Sequence, residues 1–381
     1  MKRFRVPHED EARERAWQVI RAAFAHREPV AWPRRHARPL VATAVVAAAV
    51  GAALSPPGRS VIDSLREAVG VEHAKTELFS LPTRGRLLVE APPSGVWVVH
   101  PDGSKRLLPG YREASWSPHG LYLVATKRNE LVTLEDDGNV HWKLARRDVR
   151  FPRWGGTMTD TRIAYVCRRC PGVVSAIRAV GGDGRGDRWV TKGFFPIAPA
   201  WRPGPGHVLA VAHTDGRIRL WGTDTRALVA TSRKIERPLQ LAWRSDGAFL
   251  YALTRLRLYL FDPHARLTAI FRIRQWFPGT VVTGLAVAPH GTAVALLLRR
   301  RGRSQVVVFK NGFHRVFSGA GHFTRLEWSP DGRWLLVAWK EPNQWLFIRS
   351  TKVQTIRAVS GITSQFDSST FPSLAGWCCA R

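Results

Sequence analysis

The pentapeptide Trp-Ser-Pro-(Asp/His)-Gly occurs twice in this chain, at Trp116–Gly120 and Trp328–Gly332. Worn copies stand between them: Trp154-Gly155-Gly156, Trp201-Arg202-Pro203-Gly204, Trp243-Arg244-Ser245-Asp246-Gly247 and Val287-Ala288-Pro289-His290-Gly291. The anchor positions 116, 154, 201, 243, 287 and 328 are 38, 47, 42, 44 and 41 residues apart. A unit of this length recurring at a near-constant period builds its core against its neighbours, so the period constrains the fold more than any single residue does. The anchor has local physics of its own. Pro presets φ for the second position of a type I turn, Asp suits that turn, and Gly closes it.

An apolar run follows each anchor, among them Leu121 to Thr126, Ala248 to Thr254 and Trp334 to Trp339. After a short polar gap comes a second run, such as Glu130 to Leu134, Arg257 to Phe261 or Gln344 to Ile348. These runs are β-branched and aromatic and of strand length. A further turn, as at Asp136-Asp137-Gly138-Asn139, then leads to a more polar strand. Four short antiparallel strands per repeat make a propeller blade, and the fold class is all-β. The segment Gly85 to Leu108 carries strands two to four of another blade, and Phe371 to Trp377 echoes the start of the Trp154 repeat. A blade shared between the two ends removes open sheet edges, which gives seven four-stranded blades. Six remain open if the Trp154 repeat is not a blade.

The Trp-Ser-Pro-Asp-Gly start and its apolar strand resemble the repeats of TolB-like and WD-repeat-like propellers, over roughly residues 84–377. Arg217 to Gly222 is also similar to the strand that ends WD repeats, with Gly222 in place of Asp. The resemblance implies a binding or scaffolding role, in some relatives as a lid beside a hydrolase domain. No ligand motif carries over. Trp116, Trp154, Trp201, Trp243 and Trp328 are expected to be structural blade anchors, because each ring buries a large apolar area.

The chain has 58 Lys and Arg against 29 Asp and Glu, a formal charge of +29, and 48 of the basic residues are Arg. Such a balance suits nucleic acid, an anionic cell-surface polymer or anionic lipid. The basic residues run through every repeat, with Arg299-Arg300-Arg301-Gly302-Arg303 the densest stretch, read as a solvated hairpin tip. No zinc-finger, RRM or helix-turn-helix pattern accompanies them, so nucleic acid ranks low.

Leu40 to Leu54 is an uncharged Ala/Val-rich stretch between Arg34, Arg35 and Arg38 on one side and Ser55-Pro56-Pro57-Gly58 on the other. Residues 39–55 are read as a transmembrane helix, short against the usual span of about twenty. A cleaved signal and a buried core helix are the alternatives. The basic flank keeps residues 1–38 inside and exports the repeats: a single-pass protein of the cell membrane with its N-terminus cytoplasmic. His8 to Arg27 reads as an amphipathic helix carrying Trp17, Ile20 and Phe24 in one stripe, which needs a membrane surface or a cytosolic protein partner. That layout resembles anti-sigma regulators, although their His-x3-Cys-x2-Cys motif is missing. Residues 56–83 are a stalk, and 378–381 a short C-terminal tail.

Cys167-x2-Cys170 and the adjacent Cys378-Cys379 leave three states open: a disulfide, with Cys167–Cys170 the candidate, free thiols, or a four-thiolate metal site. No Gly-x-Ser-x-Gly, His-Glu-x2-His, phosphate loop or dinucleotide fingerprint is present. No catalytic residue, metal ligand or cofactor is therefore assigned. The expected function is an exported, non-catalytic binding module for a protein or ligand, in the manner of a signalling regulator. Two alternatives stand beside it: an enzyme using the channel of the ring, and an intracellular basic propeller binding nucleic acid. Clustered carboxylates, His or Lys at the starts of the innermost strands would mark the enzyme, and those positions read as mostly apolar.

Overall fold

The computed structural model describes residues 71–72, 80–170, 173–349 and 355–379. The tail with Trp17, Ile20 and Phe24, the 39–55 segment and most of the stalk lie outside the described residues. Among the described residues, no helix is long and apolar enough to cross a membrane.

Seven antiparallel sheets make a seven-bladed propeller. In six of them the chain runs outward from the innermost strand, beginning at Tyr111–Trp116, Val149–Gly156, Ala200–Trp201, Gln240–Trp243, Val281–Val287 and Phe323–Trp328. The remaining blade is composite. Arg86–Ala91, Gly95–Val99 and Lys105–Pro109 supply its outer three strands, and Ser373–Cys378 supplies the innermost. Leu87 lies opposite Trp377 and Glu90 opposite Ser373, so the last strand closes the ring on the first. Counted from this composite blade, the Trp154 repeat is blade three, with the long strands Thr161–Cys170 and Val173–Gly181. The six-blade alternative is thereby set aside. Val71–Glu72 adds a short parallel strand to the outer edge of blade seven, beside Ile356 and Arg357.

The core sits between blades. One cluster joins Leu87, Val89, Trp345, Phe347, Phe366 and Trp377 across blades seven and one. Another joins Leu297 and Val306 of blade six to Trp328, Leu335 and Val337 of blade seven. Burying each large apolar side chain is worth roughly 1.5–3 kcal/mol, and alternate residues of every strand contribute.

The two clear anchors share one hydrogen-bonded turn. Gly120 N donates to Ser117 O and Gly332 N to Ser329 O, each at 2.9 Å, and both glycines take φ of 68°. The serine hydroxyls also accept from the next strand, from Tyr122 N at 3.1 Å and Trp334 N at 2.9 Å. Ser thus pins the turn to the strand it feeds, a role beyond the Pro-Asp-Gly logic of the turn itself.

Candidate functional site at the mouth of the axial channel

An antiparallel meander sorts its loops onto two faces. Turns after the first and third strands lie on one face, here the turn face. Connections from the second strand to the third, and from each blade to the next, lie on the other, the crossover face. The innermost strands begin at the crossover face, so residues early in them line the channel near that mouth.

Pleating alternates the side chains, and the anchor tryptophans point into the blade packing. Trp116, Trp154, Trp243 and Trp328 are buried and Trp201 is half-buried. Trp201 Nε1 donates to Arg153 O at 2.8 Å and Trp328 Nε1 to Ala286 O at 3.2 Å. Both rings thus tie to the carbonyl one residue before the anchor of the preceding blade. Residues one and three before an anchor face the other way, toward the channel. They are Ser115 and Glu113 in blade two, Arg153 in blade three, Ala242 and Gln240 in blade five, and Glu327 and Arg325 in blade seven, while Ala286 of blade six packs into the core beside Trp328.

The channel wall is therefore charged on one side and small or neutral on the other, which corrects the expectation of mostly apolar strand starts. Glu90, near the end of its strand in blade one, joins the group and accepts from Ala114 N at 3.1 Å. Arg150 Nη1 meets Glu113 Oε1 at 3.1 Å, and Phe151 N donates to the other oxygen of Glu113. Arg153 donates to Pro152 O at 2.9 Å and feels the charges of Glu90, Arg325, Glu113 and Glu327. Burial pushes Glu90 up to about 7 against the pull of the Ala114 amide and of Arg153. Burial likewise pushes Glu327 up to about 7 against Arg325 and Arg153, and it pulls the Arg153 guanidinium down. Two carboxyls that titrate near neutrality beside guanidiniums can exchange protons with a bound group and hold an anion or a hydroxylated ligand. The period-two alternation before each anchor was the signal for these residues. Reading the strand starts as a run, rather than by face, hides it.

The remaining sequence-marked residues lie elsewhere. Cys167 and Cys170 are bonded across the crossover-face hairpin of blade three, with their Cα atoms 5.7 Å apart. Cys378 and Cys379 are bonded at the end of the closing strand. The two pairs belong to different blades and do not converge on one ion. Among the described residues, no group of three or more His, Cys, Asp and Glu side chains could hold a metal. His119 sits in its turn 3.0 Å from Ser117 Oγ, as a substitute for the turn Asp.

Charge separates by face. The described loops of the crossover face carry twelve Lys and Arg against five Asp and Glu, and those of the turn face carry eight against ten. The turn-face acids are engaged: Asp136 with Arg86, Asp224 with Arg162 and His207, and Asp246 with Arg244. Eleven of the twelve basic residues in the crossover loops are exposed.

No protein-family model and no curated protein matches this sequence. Solved propellers are similar in fold. A functionally unknown protein from Desulfotomaculum acetoxidans aligns with TM-score 0.57 and 10% identity over 77% of this chain and 99% of its own. A chain of a mitotic checkpoint complex aligns with TM-score 0.51 and 17% identity over 70% and 90%. The β-propeller domain of Cps50 (Swd1) from Myceliophteria thermophila aligns with TM-score 0.51 and 11% identity over 66% and 86%. At these identities the likeness is one of fold: this chain is a seven-bladed β-propeller.

Proposed function

We propose that this chain is a non-catalytic binding ring, exported and tethered by Leu40 to Leu54, that engages a protein partner. The observation that supports this best is economy. The seven blades occupy Arg86 to Cys378, and the longest connection between them, residues 361–372, holds a single helical turn, Ile362–Gln365. Compact connections of this size present side chains for recognition but do not fold as catalytic domains. A rigid ring with many loops on one face suits a scaffold, as in the TolB-like and WD-repeat-like proteins it resembles. Residues 1–38 would then carry a signal inward through the stripe of Trp17, Ile20 and Phe24.

Protease protection in intact cells tests the tether. External protease should digest the ring and spare the first 38 residues, and full-length protein recovered from the soluble cytosol would end the reading.

A second reading draws on the axial cluster: a ring that binds, or acts on, a small ligand at the channel mouth. Glu90, Glu113, Arg153, Arg325 and Glu327 are the chemistry that the enzyme alternative requires. Ser115, the hydroxyl on the same wall, accepts from Trp154 N at 3.4 Å, which keeps ligand binding ahead of catalysis.

A further inference from the structure

We infer that the crossover face is a docking surface for an anionic lipid bilayer, and that the ring lies against the membrane on this side. Residues 80–381 hold 45 Lys and Arg against 20 Asp and Glu, and the excess is not spread evenly over the ring. It is densest over blades four to six, where Arg233, Lys234, Arg237, Arg255, Arg274 and Arg301 are all exposed in crossover loops. Arg299, Arg300 and Arg303 extend the same patch from their strands. A juxtamembrane cluster of four to eight such charges already recognises anionic lipid.

Apolar side chains stand among these charges. Trp276, 59% exposed, sits on the helical turn Ile273–Trp276 between Arg272 and the following crossover residues, with Arg274 on the same turn. Its ring packs at a tilt against Phe313, the first residue of the outer strand of blade six, with centroids 5.4 Å apart, so it is held at the outer rim where the crossover loop meets the next blade. Leu239 lies exposed in the connection between blades four and five, and Val174, 89% exposed, projects at the hairpin of blade three beside Arg168 and Arg169. Tryptophan and basic side chains together are what a membrane interface selects. A single-stranded nucleic acid would instead need successive rings to stack its bases, and only one of these three residues is aromatic. The turn face carries exposed apolar residues too, Leu121 and Met158, but amid balanced charge that offers a bilayer nothing to attract.

This docking does not depend on the tether, and lysine acetylation of the full-length protein read by mass spectrometry separates the two. The protein is mixed with phosphatidylglycerol vesicles, with phosphatidylcholine vesicles, or with a single-stranded oligonucleotide. With phosphatidylglycerol, Lys192, Lys234 and Lys340 on the crossover face should react several-fold more slowly, while Lys143, exposed on the outer strand of blade two, keeps its rate. The protection should vanish at high salt and in Arg233→Glu/Arg237→Glu/Arg274→Glu. Each neutralised charge is worth about five-fold in affinity, and Trp276→Ala should weaken the protection further. The wild-type salt series carries the test if the triple variant does not fold. Equal protection by both lipids, protection of Lys143, or protection by the oligonucleotide alone would each overturn the proposal. A ring that fails the protease experiment yet shows the lipid footprint would be a peripheral membrane protein, so the two readings fail separately.

Discussion

Glu327 stands one residue before Trp328, with its carboxyl in the channel rather than in the blade packing, and its titration follows from that position. Its ordinary value is 4.5, and burial raises it to about 7, as burial also does for Glu90. A carboxyl raised in this way keeps, in the folded protein, a proton that the unfolded chain has already released. Its contribution to stability is full below about 4.5 and is lost as pH climbs through about 7. Glu327→Gln should therefore raise the melting temperature relative to the parent at pH 8 and change it little at pH 5, where the parent is itself protonated. Each kcal/mol recovered is worth roughly 2–4 °C. Paired thermal melts at the two pH values decide it. A lower melting temperature at pH 8 would mean that the attraction of Arg325 and Arg153 outweighs the burial. The sequence held this residue in plain view, but its meaning depended on knowing which side of the strand faces the channel. Glu90 was less legible still, because it lies on a second strand and reaches the mouth only through ring closure.

At the scale of the element, the repeat period, the turn chemistry and the apolar runs were legible because they are local. Trp154-Gly155-Gly156 looked like a failed anchor, and its reason lies in the neighbouring blade. A Cβ on Gly155 would stand 2.2 Å from Cγ of Trp201, so glycine makes room for the anchor of blade four. The closing strand was legible from its echo of blade three, and it invites removal. Deleting residues 366–381 takes away Leu374 and Trp377 from the core between blades seven and one, together with the pairing of Arg86–Ala91. The shortened protein should melt well below the parent, by roughly 6–20 °C on the roughly 3–5 kcal/mol that losing one buried aromatic costs, and should aggregate through the freed edge. Light scattering during a melt reads both. An unchanged transition would show that the ring does not depend on the shared blade.

At the scale of the whole molecule, two electrostatic effects compete. The turn face is held partly by ion pairs such as Arg162–Asp224 and Arg244–Asp246, which added salt weakens. Exposed pairs of this kind are worth only about 0–1 kcal/mol each, and partners in contact are screened less than distant charges. The crossover face works in the opposite sense. Its eleven exposed basic loop residues face few acids, and two like charges 10 Å apart in water repel by about 0.4 kcal/mol before screening. Where these residues crowd together, as over blades four to six, the repulsions add, while each exposed pair returns little. The Debye length falls from about 30 Å at 0.01 M to about 8 Å at 0.15 M, which removes most of the repulsion. Sodium chloride added over that range should raise the melting temperature of the ring by a few degrees and then have little further effect. A steady rise beyond about 0.3 M would point instead to general salting-out of apolar surface. A fall over the first interval would show that the ion pairs dominate, and the crossover bases would then have to be neutralised within the molecule, leaving no free charge for a membrane to attract.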